Sequence, residues 1–512
     1  MRQDFSDNAD LPAYHKLVRT YRERVGYLED NLEMLNRDKF INTPDAAQPY
    51  RIEIQAALSK AIQTFIDDTD FETLIENAIA ENLSDTQIRM VEEIEIDIQK
   101  RTAITADMRT QAASIESQGR PLHAKLKGAN DWDAAKDWLK DVVAVKRRIG
   151  AQYAKEFGLA TPYDGLLAQY SPGFNAAEID ALFADLLPAI RNIKPDPQKQ
   201  NTAPFSHPPI SQNAQLEIYR GVLKAIGFDL SRGDIYMTDL HPVEGGLPDD
   251  TRLIISHGDE ENILKSYHTA IHEAGHGLYF QGLPAAHAGT ALGRDAGTPM
   301  QESQALLYDM IIGRSPEFMT HLSALIKTET GQDILPADLH THITRTQDGP
   351  IRTQADEVNY HKHIAIRYDI EKRLINGDIE IDDLPAAWNT SYKQYFGAAP
   401  KNYSEGVLQD VHWSVGKFGY FPSYTLGHMI AAQIYDTLQT EFPDIKQKMK
   451  DGNLGDVCKW LNQNVHEKGR LETPKDLIIN TTGKALSANS LITHLENRYG
   501  TKTPAPAQKP QP

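Results

Sequence analysis

The chain has 512 residues, of which 40% are hydrophobic and 24% are charged, and its formal net charge at pH 7 is −18. These values are typical of a globular protein of roughly one to three domains, and the acidic balance argues against nucleic acid or an anionic membrane surface as a partner. A single cysteine, Cys458, excludes an intrachain disulfide and a cysteine-rich metal site; with a polar N-terminus and no long apolar stretch, this leads us to expect a cytoplasmic protein without membrane contact.

The first part of the chain has the apolar spacing of amphipathic helices. Pro121, Pro162 and Pro172 are interpreted as breaks between helices, and the proline-rich stretch over 194–209 as an exposed connection. Apolar residues recur at intervals of three and four with charged residues between them, which predicts helices over 14–35, 52–66, 71–80, 85–104 and 132–157.

The second part of the chain contains one convincing strand. Gly245 and Gly246 signal a turn, and the apolar, β-branched run over 251–256 that follows them predicts a strand. Helical spacing then returns and predicts helices over 302–330, 354–376, 384–396, 423–450 and 485–499.

These elements predict a mainly α fold with a small β element beside the candidate site. We expect a single domain over 1–500, made of an N-terminal helical half (1–193) and a half that carries the candidate catalytic residues (210–500). The last stretch, 501–512, is rich in proline and low in complexity, and we expect it to be disordered.

The most informative motif is the run from His272 to His276, in which Glu273 follows the first histidine. Histidines four apart lie one above the other on a helix, so that one Zn²⁺ can bind both, and the adjacent glutamate can reach a water on the metal. The pattern indicates metal-assisted hydrolysis, with peptides as the usual substrate. The alternative is a helix that merely carries two histidines, but the apolar flanks, such as Ile271 and Leu278, predict partly buried imidazoles that need partners.

Glu302 is the candidate third ligand. It stands in a second segment with helical spacing, and the Gly- and Ala-rich stretch between the two segments is interpreted as a loop that returns the chain. Two histidines and one glutamate with an open fourth position form the usual catalytic zinc pattern. The alternative is a carboxylate placed at a helix N-terminus because the helix dipole favours it there.

Further candidates for substrate contacts lie outside this motif. Arg352 could bind a carboxylate through two parallel hydrogen bonds, or could form an ion pair with Asp356. His412 and Tyr420 could donate to an oxyanion, or could belong to an aromatic core. Finally, His241 and Arg252, which flank the strand, are candidates for supporting the site. For Arg252, an ion pair with Asp250 is equally plausible.

Taken together, these motifs make the chain resemble the carboxypeptidase Taq family of zinc metallocarboxypeptidases. The resemblance is dense from about residue 241 to 435, and weak over the first 200 residues, where it consists of helical character alone. The motifs that carry it occur in the family's order: His272–His276, Glu302–Gln304, Ile351–Asp356, Gly406–Trp413 and Gly419–Gly427.

The resemblance implies a nearly all-helical, saddle-shaped fold with a deep active-site groove, usually a homodimer, that removes C-terminal residues one at a time from peptides with broad specificity. It implies Zn²⁺ as the cofactor, with Co²⁺ or Mn²⁺ as alternatives, and peptides with a free C-terminus as substrates. The implied roles are metal ligands for His272, His276 and Glu302, general base for Glu273, carboxylate binding for Arg352, and stabilisation of the tetrahedral intermediate for His412 and Tyr420.

The chain departs from the family pattern at several positions. Gln301 replaces the histidine usual before the third ligand, Ile254 replaces a threonine, and Val243 replaces a phenylalanine. Asn36–Asp38 stands where a Trp-Asp element is expected. These changes bear on substrate preference. Two other interpretations remain, namely an endo-acting zinc oligopeptidase of a related helical fold and a catalytically silent helical binding protein.

Overall fold

The computed structural model describes residues 11–41, 43–193, 205–238, 245–346 and 349–500. The described residues before 205 form helices joined by short turns, and the first two helices are linked by one wider helical turn over Arg22–Gly26. The helices are Pro12–Tyr21, Tyr27–Ile41, Gln48–Asp67, Phe71–Ile79, Asp85–Thr102, Ala106–Ala129, Trp132–Glu156, Pro162–Leu167 and Ala176–Asn192.

Four of the five helices predicted in this part are confirmed within a few residues, whereas the one predicted over 14–35 is two helices, Pro12–Tyr21 and Tyr27–Ile41. The prediction that Pro121 breaks a helix is wrong. Helix Ala106–Ala129 begins at the Thr105 cap and runs through Pro121. Proline in a helix interior removes one hydrogen bond, and tertiary packing has to compensate for it. Gly119 packs against Ser414, since a Cβ on Gly119 would lie 2.1 Å from the Ser414 carbonyl oxygen. This close contact holds the helix against a distant segment.

A three-stranded sheet lies between the two sets of helices. Its strands are β1 (Gly233–Thr238), β2 (Gly246–Leu247) and β3 (Asp250–Ser256), in the order β1-β3-β2, with β1 parallel and β2 antiparallel to β3. The central strand is the predicted one. Its residues 253–255 are all buried, as is typical of a strand covered on both faces. The two flanking strands were not predicted.

The rest of the described chain is again helical. The helices after residue 205 are Gln212–Ile226, Leu264–Gly282, Thr298–Leu306, Pro316–Thr330, Pro336–Ile343, Glu357–Asn376, Leu384–Phe396, Pro422–Glu441, Ile445–Asp451, Gly455–Asn464, Pro474–Thr482 and Asn489–Tyr499. With 70% of the model helical and only the small sheet besides, the prediction of a mainly α fold with a small β element is confirmed.

Two hydrophobic cores hold the helices together. The larger core extends from Ala103 to Tyr499 and contains the helices around the candidate site. The smaller core is formed by residues of the first helices, from Tyr14 to Ile98, together with Ala291 and Leu292. The predicted disordered tail, 501–512, lies outside the described residues. No helix in the described ranges is both long and apolar enough to span a membrane.

Candidate active site

Three helices meet at the histidine motif, and glycines let them approach closely. His272 and His276 lie on helix Leu264–Gly282, and Glu302 lies on helix Thr298–Leu306. A Cβ on Gly275 would lie 2.5 Å from the Gln304 carbonyl oxygen. A Cβ on Gly427, in helix Pro422–Glu441, would lie 2.6 Å from the Cβ of Glu302. The absence of side chains at these two glycines therefore brings the three helix backbones together around the candidate ligands.

The structure brings His272, His276 and Glu302 together. One ligand atom from each lies within 4.8 Å of the others, and His272 Nε2 is 4.0 Å from Glu302 Oε2. The two imidazole rings are nearly perpendicular, with centroids 5.0 Å apart. His276 and Glu302 are buried, whereas a quarter of the His272 side chain is exposed. The cluster is thus accessible from one side. Glu273 is buried on the same helix.

Both imidazoles are oriented through their Nδ1 atoms. His276 Nδ1 is 2.8 Å from Gln301 Oε1, which can only accept and therefore places the proton on Nδ1. His272 Nδ1 is 3.7 Å from Asp309 Oδ2, an ion-pair distance rather than a hydrogen bond. Burial by itself would raise the pKa of Asp309, but Arg314, 3.1 Å away, and the nearby histidines outweigh it and lower that pKa to about 2. An ionised carboxylate therefore faces His272 Nδ1.

This donor set fits a catalytic divalent metal. Protons on Nδ1 leave the Nε2 lone pairs of His272 and His276 for a metal, and the carboxylate of Glu302 supplies the third ligand. Acceptors behind metal-binding histidines are the usual outer partners of such sites, because they fix the tautomer and the ring orientation. Gln301, which replaces the family's histidine, performs this function for His276.

Arg352 is buried in an ion-pair cluster that the sequence analysis did not predict. Its partner is Asp410 rather than Asp356: Arg352 Nε and Nη2 lie 2.9 and 2.8 Å from Asp410 Oδ1. Asp356 instead caps helix Glu357–Asn376 by accepting from two of its backbone N–H groups. Asp410 Oδ2 also accepts from Arg367 Nε at 2.6 Å. One carboxylate thus pairs with two buried arginines, and their charges outweigh burial, which opposes its ionisation, so that the pKa of Asp410 is lowered.

Two tyrosines connect this arginine to the metal-ligand cluster. Tyr360 OH accepts from Arg352 Nη1 at 3.0 Å, and the Tyr424 ring lies 5.6 Å from the Arg352 guanidinium carbon. Burial is the main cause that raises the pKa of both phenols, and the nearby charge of Glu302 raises both further. Neither tyrosine was predicted as a site residue, nor was Asp410, which lies 58 residues from Arg352 and so leaves no local pattern. The available signals were the motifs Gly406–Trp413 and Gly419–Gly427, which include Asp410 and Tyr424.

His412 and Tyr420 lie together in an aromatic cluster. The His412 ring centroid is 4.4 Å from that of Phe421 and 5.6 Å from that of Tyr420. Burial, assisted by the charge of Arg352, lowers the pKa of His412 to about 3, so the imidazole is neutral at pH 7. Its Nδ1 is buried and makes no hydrogen bond. This arrangement fits both earlier interpretations, since the residues pack as a core and retain polar atoms that could serve a substrate.

The remaining candidates are Arg252 and His241. Arg252 forms a bidentate ion pair with Asp250, at 2.8 and 2.9 Å, and lies 3.4 Å from Asp38 on helix Tyr27–Ile41. The ion pair considered from the sequence therefore exists. Asp38 belongs to the N-terminal stretch that departs from the family pattern. His241 and Val243 lie outside the described residues.

A cavity of about 1100 Å³ lies between the first helices and the sheet. Its lining includes Arg37, Arg101 and Phe280, and Phe280 stands one helical turn beyond His276. None of the three candidate metal ligands lines it, so the cavity is a neighbour of the cluster and not the cluster itself.

Comparison of the whole chain with known proteins decides its family. The family model described as carboxypeptidase Taq (M32) metallopeptidase matches residues 17–499. The chain belongs to this family. It is therefore a metal-dependent carboxypeptidase, a hydrolase that acts on peptides.

Similar proteins cover nearly the whole length of this carboxypeptidase. Carboxypeptidase 1 of Bacillus subtilis is 28% identical over 96% of this chain and 99% of its own length. Thermostable carboxypeptidase 1 of Thermus thermophilus is 30% identical over 95% and 98%. Among solved structures, metallocarboxypeptidase 1 of Trypanosoma cruzi has a TM-score of 0.89 at 26% identity and covers 96% of this chain and 99% of that one.

Proposed function

We propose that this carboxypeptidase removes C-terminal residues one at a time from peptides of varied sequence. His272, His276 and Glu302 would hold the catalytic metal. His412, Tyr420 and Arg352 would position the substrate. A bound divalent ion supplies a Lewis acid that polarises the scissile carbonyl and lowers the pKa of water. We propose Zn²⁺ for the ion, with Co²⁺ or Mn²⁺ as alternatives, because two imidazoles and a carboxylate suit all three.

The observation that carries this proposal is the convergence of three ligand atoms within 4.8 Å, with acceptors behind both histidines. Glu273, next to His272, would take a proton from the attacking water and deliver it to the leaving amine. Its position beside His272, on the same helix and buried next to the candidate ligands, supports this role.

His412 and Tyr420 would donate hydrogen bonds to the oxyanion of the tetrahedral intermediate. Each such donor contributes about 3 kcal/mol in other acyl-transfer enzymes. A neutral His412 can donate from one ring nitrogen, and its unbonded Nδ1 supports a role that begins when substrate arrives.

Arg352 would bind the terminal carboxylate of the peptide. Its three hydrogen bonds to Asp410 and Tyr360 use part of the five N–H donors of a guanidinium, so donors remain for a substrate. The excess positive charge of two arginines around one aspartate also favours an incoming carboxylate. We propose that Arg252 and His241 make supporting contacts to the peptide farther from its C-terminus. We also propose that the protein forms a homodimer.

The experiment that tests the proposal compares one peptide of mixed sequence with its C-terminally amidated form. Metal-loaded protein is incubated with each peptide, and the products are followed by mass over time. We expect a ladder that shortens by single residues from the free C-terminus, at least tenfold slower for the amide. Internal cleavage products, or equal rates on both peptides, would contradict the proposed role of a carboxylate-binding arginine.

A further inference from the structure

A second cluster of metal-ligating side chains lies outside the candidate active site. Glu357, His428 and His494 come from three helices, and one ligand atom of each lies within 4.8 Å of the others. Glu357 Oε1 is 2.7 Å from His494 Nε2 and 3.4 Å from His428 Nε2. Ligand atoms around a tetrahedral zinc are separated by about 3.3 Å, given bond lengths of about 2.0 Å. The two distances from Glu357 Oε1 therefore bracket the spacing that such an ion needs.

His428 points an unsatisfied nitrogen into this cluster. Its side chain is 3% exposed, and Nε2 is buried and makes no hydrogen bond. Its other nitrogen, Nδ1, is 3.1 Å from His361 Nε2, and His361 Nδ1 is 3.1 Å from Thr425 Oγ1. A buried polar atom without a partner costs about 1–3 kcal/mol. A chain of hydrogen bonds thus fixes the ring and aims its free nitrogen at Glu357, where a ligand would remove the cost.

Glu357 is held from behind in the same way. Its Oε2 accepts from Tyr499 OH at 2.6 Å and from Arg498 Nη1 at 3.0 Å. This leaves Oε1 facing the two imidazoles. Outer donors that fix a carboxylate are typical of metal sites. The positive charge of Arg498 opposes a second cation nearby, so binding here should be weaker than at the catalytic cluster.

An entry path reaches the cluster from the surface. His494, Arg498 and Tyr499 line a cavity of about 950 Å³. The side chain of His494 is 13% exposed, which makes it the outermost of the three candidate ligands. An ion can thus enter from the cavity and replace the hydrogen bond between His494 and Glu357.

We propose that Glu357 Oε1, His428 Nε2 and His494 Nε2 form a second, non-catalytic site for a divalent ion of the zinc class. When the site is filled, the proton of His494 moves to Nδ1, and Nε2 binds the ion in place of its hydrogen bond to Glu357. The ion connects the C-terminal helix Asn489–Tyr499 to helices Glu357–Asn376 and Pro422–Glu441. Its function is to fix the end of the chain on the catalytic core.

The test counts Zn²⁺ by equilibrium dialysis of the metal-free full chain at rising Zn²⁺ concentration. We expect two equivalents for the unmodified protein, one tighter than the other. His494→Gln should lose only the weaker equivalent, because glutamine keeps an N–H for Glu357 but is a poor zinc ligand. His276→Gln should lose only the tighter one, and the double variant should lose both. In the His276→Gln background, Zn²⁺ should still raise the melting temperature.

The matched control is His340→Gln, since His340 lines the same cavity but lies outside the cluster. It should retain both equivalents. The second site is overturned if the unmodified protein binds a single equivalent of Zn²⁺ and His494→Gln binds it equally. That result would leave the catalytic site intact. Two equivalents in His494→Gln would also overturn the second site. If the unmodified protein instead bound one weak equivalent that His494→Gln removed, the result would count against the catalytic cluster.

Discussion

At the scale of single residues, the candidate active site combines groups that a helical pattern predicts with groups that it does not. His272 and His276 follow from local spacing, since a helix places residues four apart on one face. Glu302 was inferred from a second helical segment and from the usual catalytic zinc pattern. Asp410 and Tyr360 are brought to Arg352 by tertiary packing between separate helices and loops. The sequence suggested a salt bridge to Asp356 as one alternative for Arg352. In the structure, Asp356 instead caps a helix. Short-range periodicity carries no information on such contacts.

Replacing the proposed general base should separate metal binding from turnover. Glu273→Gln keeps the size of the side chain but removes its ability to take a proton. We expect kcat to fall by about 10² to 10⁴-fold with Zn²⁺ affinity unchanged, because Glu273 is not among the clustered ligand atoms. Kinetics on a free-ended dipeptide, together with metal analysis of the same sample, give both quantities. Near-normal turnover would exclude Glu273 as the base.

The glutamine behind His276 should tune metal affinity. Gln301→Leu removes the acceptor 2.8 Å from His276 Nδ1, and loss of such an outer partner costs about 10- to 100-fold in metal affinity or activity. Gln301→Glu keeps an acceptor and serves as the matched control. Competition with a chromophoric chelator measures the affinity of each variant. Equal affinities for the leucine and glutamate variants would show that the hydrogen bond does not act on the metal.

At the scale of elements, glycines set the spacing of the helices that carry the ligands. Gly427→Ala should force helix Pro422–Glu441 away from Glu302, since the added Cβ would lie 2.6 Å from the Glu302 Cβ. Overpacking of this kind costs about 1–3 kcal/mol, and here it also displaces a ligand. We expect a lower melting temperature and weaker metal binding. Gly128→Ala, on a helix with open space around its Cβ, should be neutral or stabilising.

The buried carboxylate of Glu371, which binds the loop that contains His412, should make the free energy of unfolding depend on pH. Glu371, on helix Glu357–Asn376, accepts from Tyr163 OH, Trp413 Nε1 and the Gly419 N–H. Burial nevertheless raises its pKa from 4.5 to about 7. Because its pKa in the folded state is raised, Glu371 makes its full contribution to the free energy of unfolding below about pH 4.5. That contribution is lost as the pH rises to about 7. The loss amounts to about 3 kcal/mol.

Urea unfolding at several pH values measures this effect. Between pH 4.5 and 7, Glu371→Gln should show a smaller fall in the free energy of unfolding than the unmodified protein, because glutamine does not ionise. The comparison uses the slope with pH, since the amide also loses hydrogen bonds and is less stable at every pH. Identical slopes for the two proteins would mean that Glu371 is ionised in the fold throughout this range.

Long apolar patterns predicted helical character correctly but not the breaks within it. The helix predicted over 302–330 is divided into Thr298–Leu306 and Pro316–Thr330, and the one over 423–450 into Pro422–Glu441 and Ile445–Asp451. The central strand over 251–256 was recognised from its β-branched run, whereas β1 and the two-residue β2 exist only because they pair with it. Pro121 does not end its helix, because the packing of Gly119 against Ser414 compensates for the missing hydrogen bond. A contact with a distant segment leaves no local trace in the sequence.

At the scale of the whole molecule, partly buried ion pairs as well as apolar contacts connect the two hydrophobic cores. Arg470 lies 3.0 Å from Asp97 and 3.4 Å from Glu93, both on helix Asp85–Thr102 of the smaller core. Arg294 forms equivalent pairs with Glu29 and Asp30 at 3.1 and 2.8 Å. The sequence predicted the first helices but not this division, because the partners lie hundreds of residues apart. The domain limits drawn from sequence stay a prediction.

Removing Arg470 should therefore loosen the first helices and leave the rest of the fold intact. Arg470→Met keeps most of the side-chain volume but leaves the Asp97 carboxylate without its arginine, which costs up to about 3 kcal/mol for a partly buried pair. Glu93 keeps its pair with Arg89. Among the described residues, the half that carries the candidate catalytic residues gives the smaller core Ala291 and Leu292, with the partly buried Leu471 packed against it, so few apolar contacts remain to hold this core in place. The cost should thus appear as local opening.

Hydrogen–deuterium exchange followed by mass spectrometry resolves where the molecule opens. In Arg470→Met we expect faster exchange over 12–102 and unchanged exchange over Pro316–Thr330, which lies in the larger core. Arg148→Ala, which removes a mostly exposed pair with Asp107, should change neither region, since such pairs contribute about 0–1 kcal/mol. Faster exchange in both regions of Arg470→Met would instead mean that the two cores unfold as one cooperative unit, because the energy of the ion pairs would then be shared by the whole chain.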